Sequence, residues 1–428
     1  MKRLVVLGSV TYLLVALGLA AINGRLLALA VPAVLYLLFA LALGPGPLRL
    51  RVTRRTSTDH ALAGTPVSVH LEAVNEGGTL DRVTIEDMVP QGLEILEGSP
   101  KVSAALGPGV VYRWSYVIRP DRGLFDFVGV QASASDHFDL SRQTLLLEAP
   151  GHLTVLPEPF RLRRMSIRPL RTRGHAGPVP ARQGGPGTDF FGVREYQAGD
   201  PRRWINWRAS ARHPAALYTN EFQQERITDV GLMLDARSRH DMRVGGRSLF
   251  EHSIRAAASL ADLFLRDGNR VGLLVFGQYL DWTFPGYGKV QRERIMRALA
   301  RARPGDSQVF DSLENIPTRF FPAQSQLVLV SPLSQDDLPV LLRLRARGYQ
   351  VLVIRPDSVT YEVAGLPPAD SVELASRILH ARRAVVRRGL QKAGIQLVDW
   401  NVDRLFDQVL HGSLGRVPQW FRAVSLQV

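Results

Sequence analysis

The chain has 428 residues, 46% of them hydrophobic, no cysteine, and a formal net charge of +14. That length fits two soluble domains with appendages, the hydrophobic fraction excludes an extended disordered chain, and the missing cysteine excludes disulfides and thiolate-held metals. The positive excess favours anionic surroundings: an inner membrane leaflet, an acidic protein or nucleic acid.

Met1-Lys2-Arg3 precedes two apolar runs, 4–22 and 26–43, separated by Asn23-Gly24-Arg25. As helices each would be roughly 27–29 Å long, close to the thickness of a bilayer core. The spacing therefore predicts a transmembrane hairpin over residues 1–47; a cleaved signal peptide is the alternative for the first run. Lys2, Arg3, Arg49, Arg51, Arg54 and Arg55 flank the hairpin's open end, and only Arg25 lies in its turn. The positive-inside bias then predicts a two-pass inner-membrane protein with its bulk in the cytoplasm.

From 48 to 156 the hydrophobic period becomes two. Val67, Val69, Leu71 and Ala73 alternate with polar or small residues, as do Tyr112, Trp114, Tyr116 and Ile118. Turn signals at Asn75–Gly78, Pro90–Gly92 and Asp121–Gly123 fall at strand spacing. The expectation is an all-β, immunoglobulin-like sandwich of about seven strands without its disulfide. His137 could be a ligand or an exposed turn-tip residue.

Residues 157–189 read as a basic Gly/Pro/Arg linker; over 160–189, seven arginines (161, 163, 164, 168, 171, 173 and 182) stand against Asp189. It is a solvated spacer or a contact for anionic lipid. Nucleic acid is disfavoured, because the stretch's only aromatic is Phe160 at its edge and no recognition fold is visible.

Residues 190–226 interleave guanidinium, carboxylate and indole more densely than ordinary surface does. Arg194-Glu195-Tyr196 is short and extended and stops at Gly199. Asp200 before Pro201 reads as an N-cap followed by proline at the first helical position. A helix would run to about Arg212 and stop at His213-Pro214. Trp204, Trp207 and Ala211 would share one face, with Arg208 and Arg212 one turn apart beside it. The mixture suggests packed ion pairs and stacking, joining domains or facing a partner.

The order Arg194, Glu195, Tyr196, Gly199, Asp200, Arg203, Ile205, Trp207, Ser210, Ala211, Arg212 closely resembles the signature of a bacterial family, domain of unknown function 58 (DUF58). Arg202 lies within it. Asp121–Phe125 and Asp136–Leu140 resemble two shorter family patterns, although members usually carry proline and glycine where His137 and Asp139 stand. The resemblance implies a membrane hairpin, a sandwich, the signature, and an α/β domain similar to von Willebrand factor type A. It implies as partners a MoxR-type AAA+ ATPase and a transglutaminase-like membrane protein. No cofactor is implied.

Over 227–428, strand-like runs (Val230–Leu234, Arg270–Phe276, Leu327–Val330, Gln350–Ile354, Ile395–Val398) alternate with helical ones (Ser248–Arg266, Val290–Arg301, Asp337–Arg347, Ser371–Lys392). This predicts a doubly wound α/β domain with a mostly parallel sheet. A metal-binding A-type domain carries Asp-x-Ser-x-Ser after its first strand. Here the stretch is Asp235-Ala236-Arg237-Ser238-Arg239, and Ser331-Pro332-Leu333 stands where another aspartate would fall. Two guanidinium groups disfavour Mg²⁺ and could pair with Asp235 instead, so a degenerate site without metal is expected. Gly286-Tyr287-Gly288-Lys289 lacks the rest of a phosphate-binding loop.

These features predict an interaction or adaptor protein working with a MoxR-type ATPase on a membrane or envelope complex, and no enzyme. The residues assigned to interaction are Arg194, Glu195, Asp200, Arg202, Trp207 and Arg212. The alternatives are a hydrolase using Glu195 or Asp200 near His213, a divalent-cation-dependent adhesion module, and a basic binder of membrane surfaces or nucleic acid.

Overall fold

A computed structural model describes residues 2–42, 48–135, 142–163, 179–213, 215–226, 228–307, 309–315, 317, 320–323 and 325–414. His137 and the 136–140 pattern lie outside the described residues, as do linker residues 164–178. The chain divides into two compact units, Met1–Leu156 and Pro157–Val428.

Two helices open the first unit, α1 (Lys2–Ala20) and α2 (Gly24–Ala42). Among the described residues no helix is long and apolar enough to cross a membrane. This overturns the expected transmembrane hairpin and the two-pass, cytoplasm-facing localisation built on it. The apolar runs overstate the helices. Ala21 and Ile22 belong to the turn, with Ile22 at φ 45°. Lys2, Arg3 and Arg25 fall within the helical spans, and Pro32 lies inside α2. Each uncharged helical stretch is left about 25 Å long, against a hydrocarbon core of roughly 30 Å.

Among the described residues nine strands follow: β1 (Leu50–Thr56), β2 (His60–Leu62), β3 (Val67–Asn75), β4 (Leu80–Asp87), β5 (Leu93–Gly98), β6 (Lys101–Leu106), β7 (Val111–Pro120), β8 (Gly123–Ser135) and β9 (Arg142–Leu156). They form a four-stranded sheet in the order β1-β3-β7-β5 and a five-stranded sheet in the order β2-β9-β8-β4-β6. Alternation decides what is buried. Val67, Val69, Leu71 and Ala73 of one sheet meet Val83, Ile85, Val130 and Ala132 of the other in one core. Tyr116 and Ile118 are buried in it, while Tyr112 and Trp114 are partly buried at its margin.

In place of a disulfide, a buried ion pair links the sheets. Arg54 of β1 donates to both carboxylate oxygens of Asp87 in β4 and to the Gly129 carbonyl in β8. Tyr116 Oη of β7 donates to Asp87 Oδ2 at 2.7 Å. The Arg54 guanidinium stacks 4.6 Å from the Phe127 ring centroid.

The second unit begins with an anchored strap. Phe160 packs against Trp400 and Phe406, its ring centroid 5.8 Å from each of theirs. The Arg255 guanidinium lies 4.3 Å from the Phe160 ring centroid. Arg163 pairs with Asp407 at 2.8 Å. Part of the expected linker is strand: β10 (Val179–Glu195) pairs antiparallel with β11 (Tyr218–Arg226) through several register shifts. Its glycines hid this, since irregular pairing lacks a clean period of two.

Strands β12 (Asp229–Asp235), β15 (Arg270–Phe276), β17 (Gln326–Val330), β18 (Gln350–Pro356) and β19 (Gln396–Trp400) are parallel, and β16 (Leu280–Gly286) is an antiparallel edge strand beside β15. A short hairpin, β13 (Arg243–Val244) and β14 (Arg247–Ser248), leads into α4 (Leu249–Arg266). The other helices are α5 (Gly288–Arg301), α6 (Asp337–Ala346), α7 (Ser358–Val363), α8 (Asp370–Lys392) and α9 (Phe406–Leu414), with α3 (Trp207–Arg212) in the signature. Met233, Leu327, Leu329 and Val353 pack with Val340, Leu341, Val386 and Leu390 on one sheet face. Leu232, Leu234, Val328 and Ile354, equally buried, point to the opposite face by alternation.

Candidate functional site

The signature is a loop folded back on the β10–β11 hairpin. Arg194, near the end of β10, forks onto Asp200, donating to Oδ2 and Oδ1 at 2.8 Å each. Its Nε lies 3.6 Å from Glu221 Oε1 on β11. The Gln197 amide donates to Asp200 Oδ2 at 2.9 Å, and Tyr196 Oη donates to the Asp200 carbonyl at 3.2 Å. Gly199 sits at φ 109°, open to glycine and strained for other residues. The bonds from Arg194 and the Gln197 amide hold the Asp200 carboxyl below its ordinary range, and the Asp200 bond raises Arg194.

The expected single helix from Pro201 to Arg212 is broken. Arg202–Trp204 make one 3₁₀ turn, and Ile205 is extended at φ −59° and ψ 125°, bridging to Thr219. Asn206 then caps α3, its Oδ1 accepting from the Ala209 amide at 2.9 Å. Asp200 does not cap because its carboxylate is committed to Arg194. The sequence carried the signal in Asn206, a strong N-cap residue three positions before Ala209. Ser210 Oγ donates to the Asn206 carbonyl and accepts from the Tyr218 amide, both at 2.9 Å, fastening α3 to β11.

The expected packed ion-pair network is confined to Arg194. Arg202, Arg203, Arg208 and Arg212 are exposed, and among the described residues no carboxylate pairs with Arg202, Arg208 or Arg212. Arg203 lies 5.9 Å from the Trp204 ring centroid. Trp204 is half-buried and Ala211 is exposed, while Trp207 stands 68% exposed. Glu195 is exposed, and among the described residues His213 bonds neither Glu195 nor Asp200. The loop thus presents an indole among guanidinium groups rather than an acid–base pair.

A second cluster lies at the carboxyl ends of the parallel strands. Numbered along the chain, these strands run 2-1-3-4-5 across the sheet, so the order reverses between β12 and β17. Such switch points are where open α/β sheets place ligand sites. Asp235 ends β12 and Ser331 follows β17. Arg237 fills the space between, 1% exposed at its side chain. It donates to Asp235 Oδ1 at 2.9 Å and Oδ2 at 2.7 Å, to Asp337 Oδ1 at 3.1 Å and Oδ2 at 2.9 Å, and to the Asp311 carbonyl at 2.8 Å. Ser331 Oγ and His240 Nδ1 reach Asp235 Oδ2 at 2.5 and 2.7 Å. Ser334 donates to Asp337 Oδ2 from its amide at 2.8 Å and its hydroxyl at 3.0 Å. Leu333 adopts φ 58° between these two serines, its amide bonded to Ser331 Oγ.

Burial pushes the Asp235 carboxyl upward, but His240 and Arg237 together outweigh it and hold it well below the usual range. Burial likewise opposes the Arg237 charge, and Asp235 with Asp337 overcomes it. Arg239 stands at the rim, its Nη2 2.9 Å from the Asp311 carbonyl. Among the described residues no group of three or more His, Asp or Glu is arranged to hold a metal ion. Sequence reasoning missed His240, Asp311 and Asp337. The last two are remote in sequence, and only the fold brings them to Arg237.

The fold and these two sites define a β-sandwich joined in one chain to an α/β unit that carries a basic-aromatic loop. Residues 192–378, under half of the chain, match the family described as protein of unknown function DUF58. That stretch includes Arg194 to Arg212 and the whole strand-end cluster. No curated protein matches the chain. Among solved structures, the CARDB domain of a Pyrococcus furiosus protein is similar at 14% identity, covering 26% of this chain and 89% of that one, with a TM-score of 0.18. The cupredoxin domain of amoB from Nitrosocaldus yellowstonii is similar at 8% identity, covering 30% and 99%, with a TM-score of 0.19. A non-cellulosomal cohesin from Archaeoglobus fulgidus is similar at 11% identity, covering 25% and 91%, with a TM-score of 0.18. At these scores the likenesses carry no weight for function.

Proposed function

We propose that this is an interaction protein that docks an acidic protein surface through the signature loop. The observation that carries the reading is Trp207, exposed on a loop fastened at both ends that also carries the exposed Arg202, Arg203, Arg208 and Arg212. Tryptophan and arginine are the side chains most often found as energetic anchors of protein interfaces. Arg202, Arg208 and Arg212, which pair with no carboxylate among the described residues, are available to an external one. A fastened loop loses little conformational freedom on binding.

The family resemblance suggests a MoxR-type AAA+ ATPase as the acidic partner and remodelling of a larger complex as the output. It also suggests that the α/β unit is of the von Willebrand A kind, here with Arg237 standing where a cation would otherwise bridge carboxylates. The test is calorimetric titration of the full chain with a purified MoxR-type ATPase. The expected result is binding that weakens with salt and falls at least about tenfold in Trp207→Ala. Absence of binding, or binding indifferent to Trp207 and to salt, removes the reading.

A further inference from the structure

We propose that two copies of the chain associate through α8, packed antiparallel about a two-fold axis. Beyond Arg382 this helix rests on the α/β unit through Val386 and Leu390, and Arg383 bonds Asp357. Among the described residues nothing covers its other face. Leu374, Ile378 and Val385 are 57%, 47% and 62% exposed, and Ala381 between them is exposed too. The spacing of these four is 4-3-4, the seam of a helix made to pack against another helix. At 3.6 residues per turn the seam lies roughly 140° from the Val386–Leu390 face, so both faces are usable at once.

Charge selects the occupant's orientation. In a parallel pair of identical helices, Arg377 beside the seam would meet Arg382 of the second copy, and Arg388 would meet Arg388. Like charges so placed oppose pairing. In the antiparallel pair Leu374 faces Val385 of the second copy, and Ile378 faces Ala381. Arg377 then passes over Ala384 and Arg382 over Ala375, where small side chains leave room. Asp370 comes beside Arg388 of the second copy. The two-fold axis repeats every one of these contacts, as a self-complementary interface requires. The helix dipoles are also opposed. One seam of this length makes a small interface, so the dimer is a weak, concentration-dependent one.

The chain has no cysteine, which allows a geometric test. Leu374→Cys and Val385→Cys are prepared as separate full-length chains of distinguishable size, mixed and mildly oxidised. The expected product is a cross-link between the two different variants. Leu374→Cys alone should not link to itself, because antiparallel packing sets those positions roughly 16 Å apart along the axis. Self-linking of Leu374→Cys, or no link in the mixture, overturns the proposal. In sedimentation, the mass should rise with concentration from 47.4 kDa toward twice that value. Ile378→Glu should weaken association at least about tenfold while leaving thermal unfolding unchanged, since Ile378 is exposed. Arg388→Glu should weaken it as well, and adding Asp370→Arg should restore it. A wild type that stays monomeric, an Ile378→Glu variant that still dimerises, or a charge exchange that restores nothing would each sink the idea.

Discussion

Arg237 Nη2 sits 2.7 Å from Asp235 Oδ2 and 2.9 Å from Asp337 Oδ2, bridging two buried carboxylates with one guanidinium at the strand-order reversal. The loop after β12 and the start of α6 are therefore tied by a single side chain. Removing it leaves two buried negative charges facing each other. Arg237→Ala is expected to lower the unfolding free energy by about 3–5 kcal/mol, measured by urea denaturation. Arg237→Lys keeps the charge but cannot fork onto both carboxylates, so its loss should be intermediate.

The same cluster sets an acid limit. The folded Asp235 carboxyl is held below its ordinary value of 3.8 because His240 and Arg237 outweigh the opposing effect of burial. A depressed carboxyl contributes stability above its unfolded pKa and loses it as pH falls through the folded one. Unfolding free energy should therefore be flat above about pH 5 on account of this group and fall steadily below about pH 4. Asp235→Asn, though less stable at neutral pH, should show a shallower acid slope. An unchanged slope would mean that other carboxyls set the limit.

In the sandwich, Tyr116 Oη donates to Asp87 at 2.7 Å beside Arg54. Tyr116→Phe leaves the ring packing and removes one bond to an ionised acceptor, a loss of about 1.5–3 kcal/mol by denaturant titration. Burial, foremost, and the neighbouring Asp87 carboxylate push the Tyr116 phenol upward from its ordinary value of 10.0. Its contribution is thus fully present below pH 10 and is lost as pH rises above it. Wild type should lose stability there more steeply than Tyr116→Phe.

The parallel strands were legible because each is a short apolar run bounded by turns, and Val230–Leu234 and Arg270–Phe276 need no tertiary context to be recognised. The edge strand β16 was not: Leu280, Trp282 and Phe284 alternate with Asp281 and Thr283, but the run is only five residues before Pro285 and Gly286 break it. The N-terminal helices misled because hydropathy counts residues such as Ala21 and Ile22 that the backbone places in a turn. In the signature, residue types were readable but pairings were not. Asp200 looks like a cap until Arg194 is brought within reach by the hairpin. Arg202, Arg208 and Arg212 look paired in the sequence, yet no carboxylate pairs with them among the described residues.

That difference between Asp200 and Trp207 separates shape from contact in the loop. Asp200→Asn cannot receive the Arg194 fork as a carboxylate, and the Gln197 amide loses a charged acceptor. Amide hydrogen exchange should speed up from Gln197 to Asn206, with partner binding falling because the loop is no longer held in one conformation. Trp207→Ala touches none of those bonds, so exchange should stay as in wild type while binding falls as far or further. Glu195→Gln, exposed and outside the fork, should change neither. If Asp200→Asn leaves exchange untouched, the Arg194–Asp200 pair does not shape the loop. If Trp207→Ala speeds exchange as much as Asp200→Asn does, Trp207 is part of the loop's packing and not its contact surface.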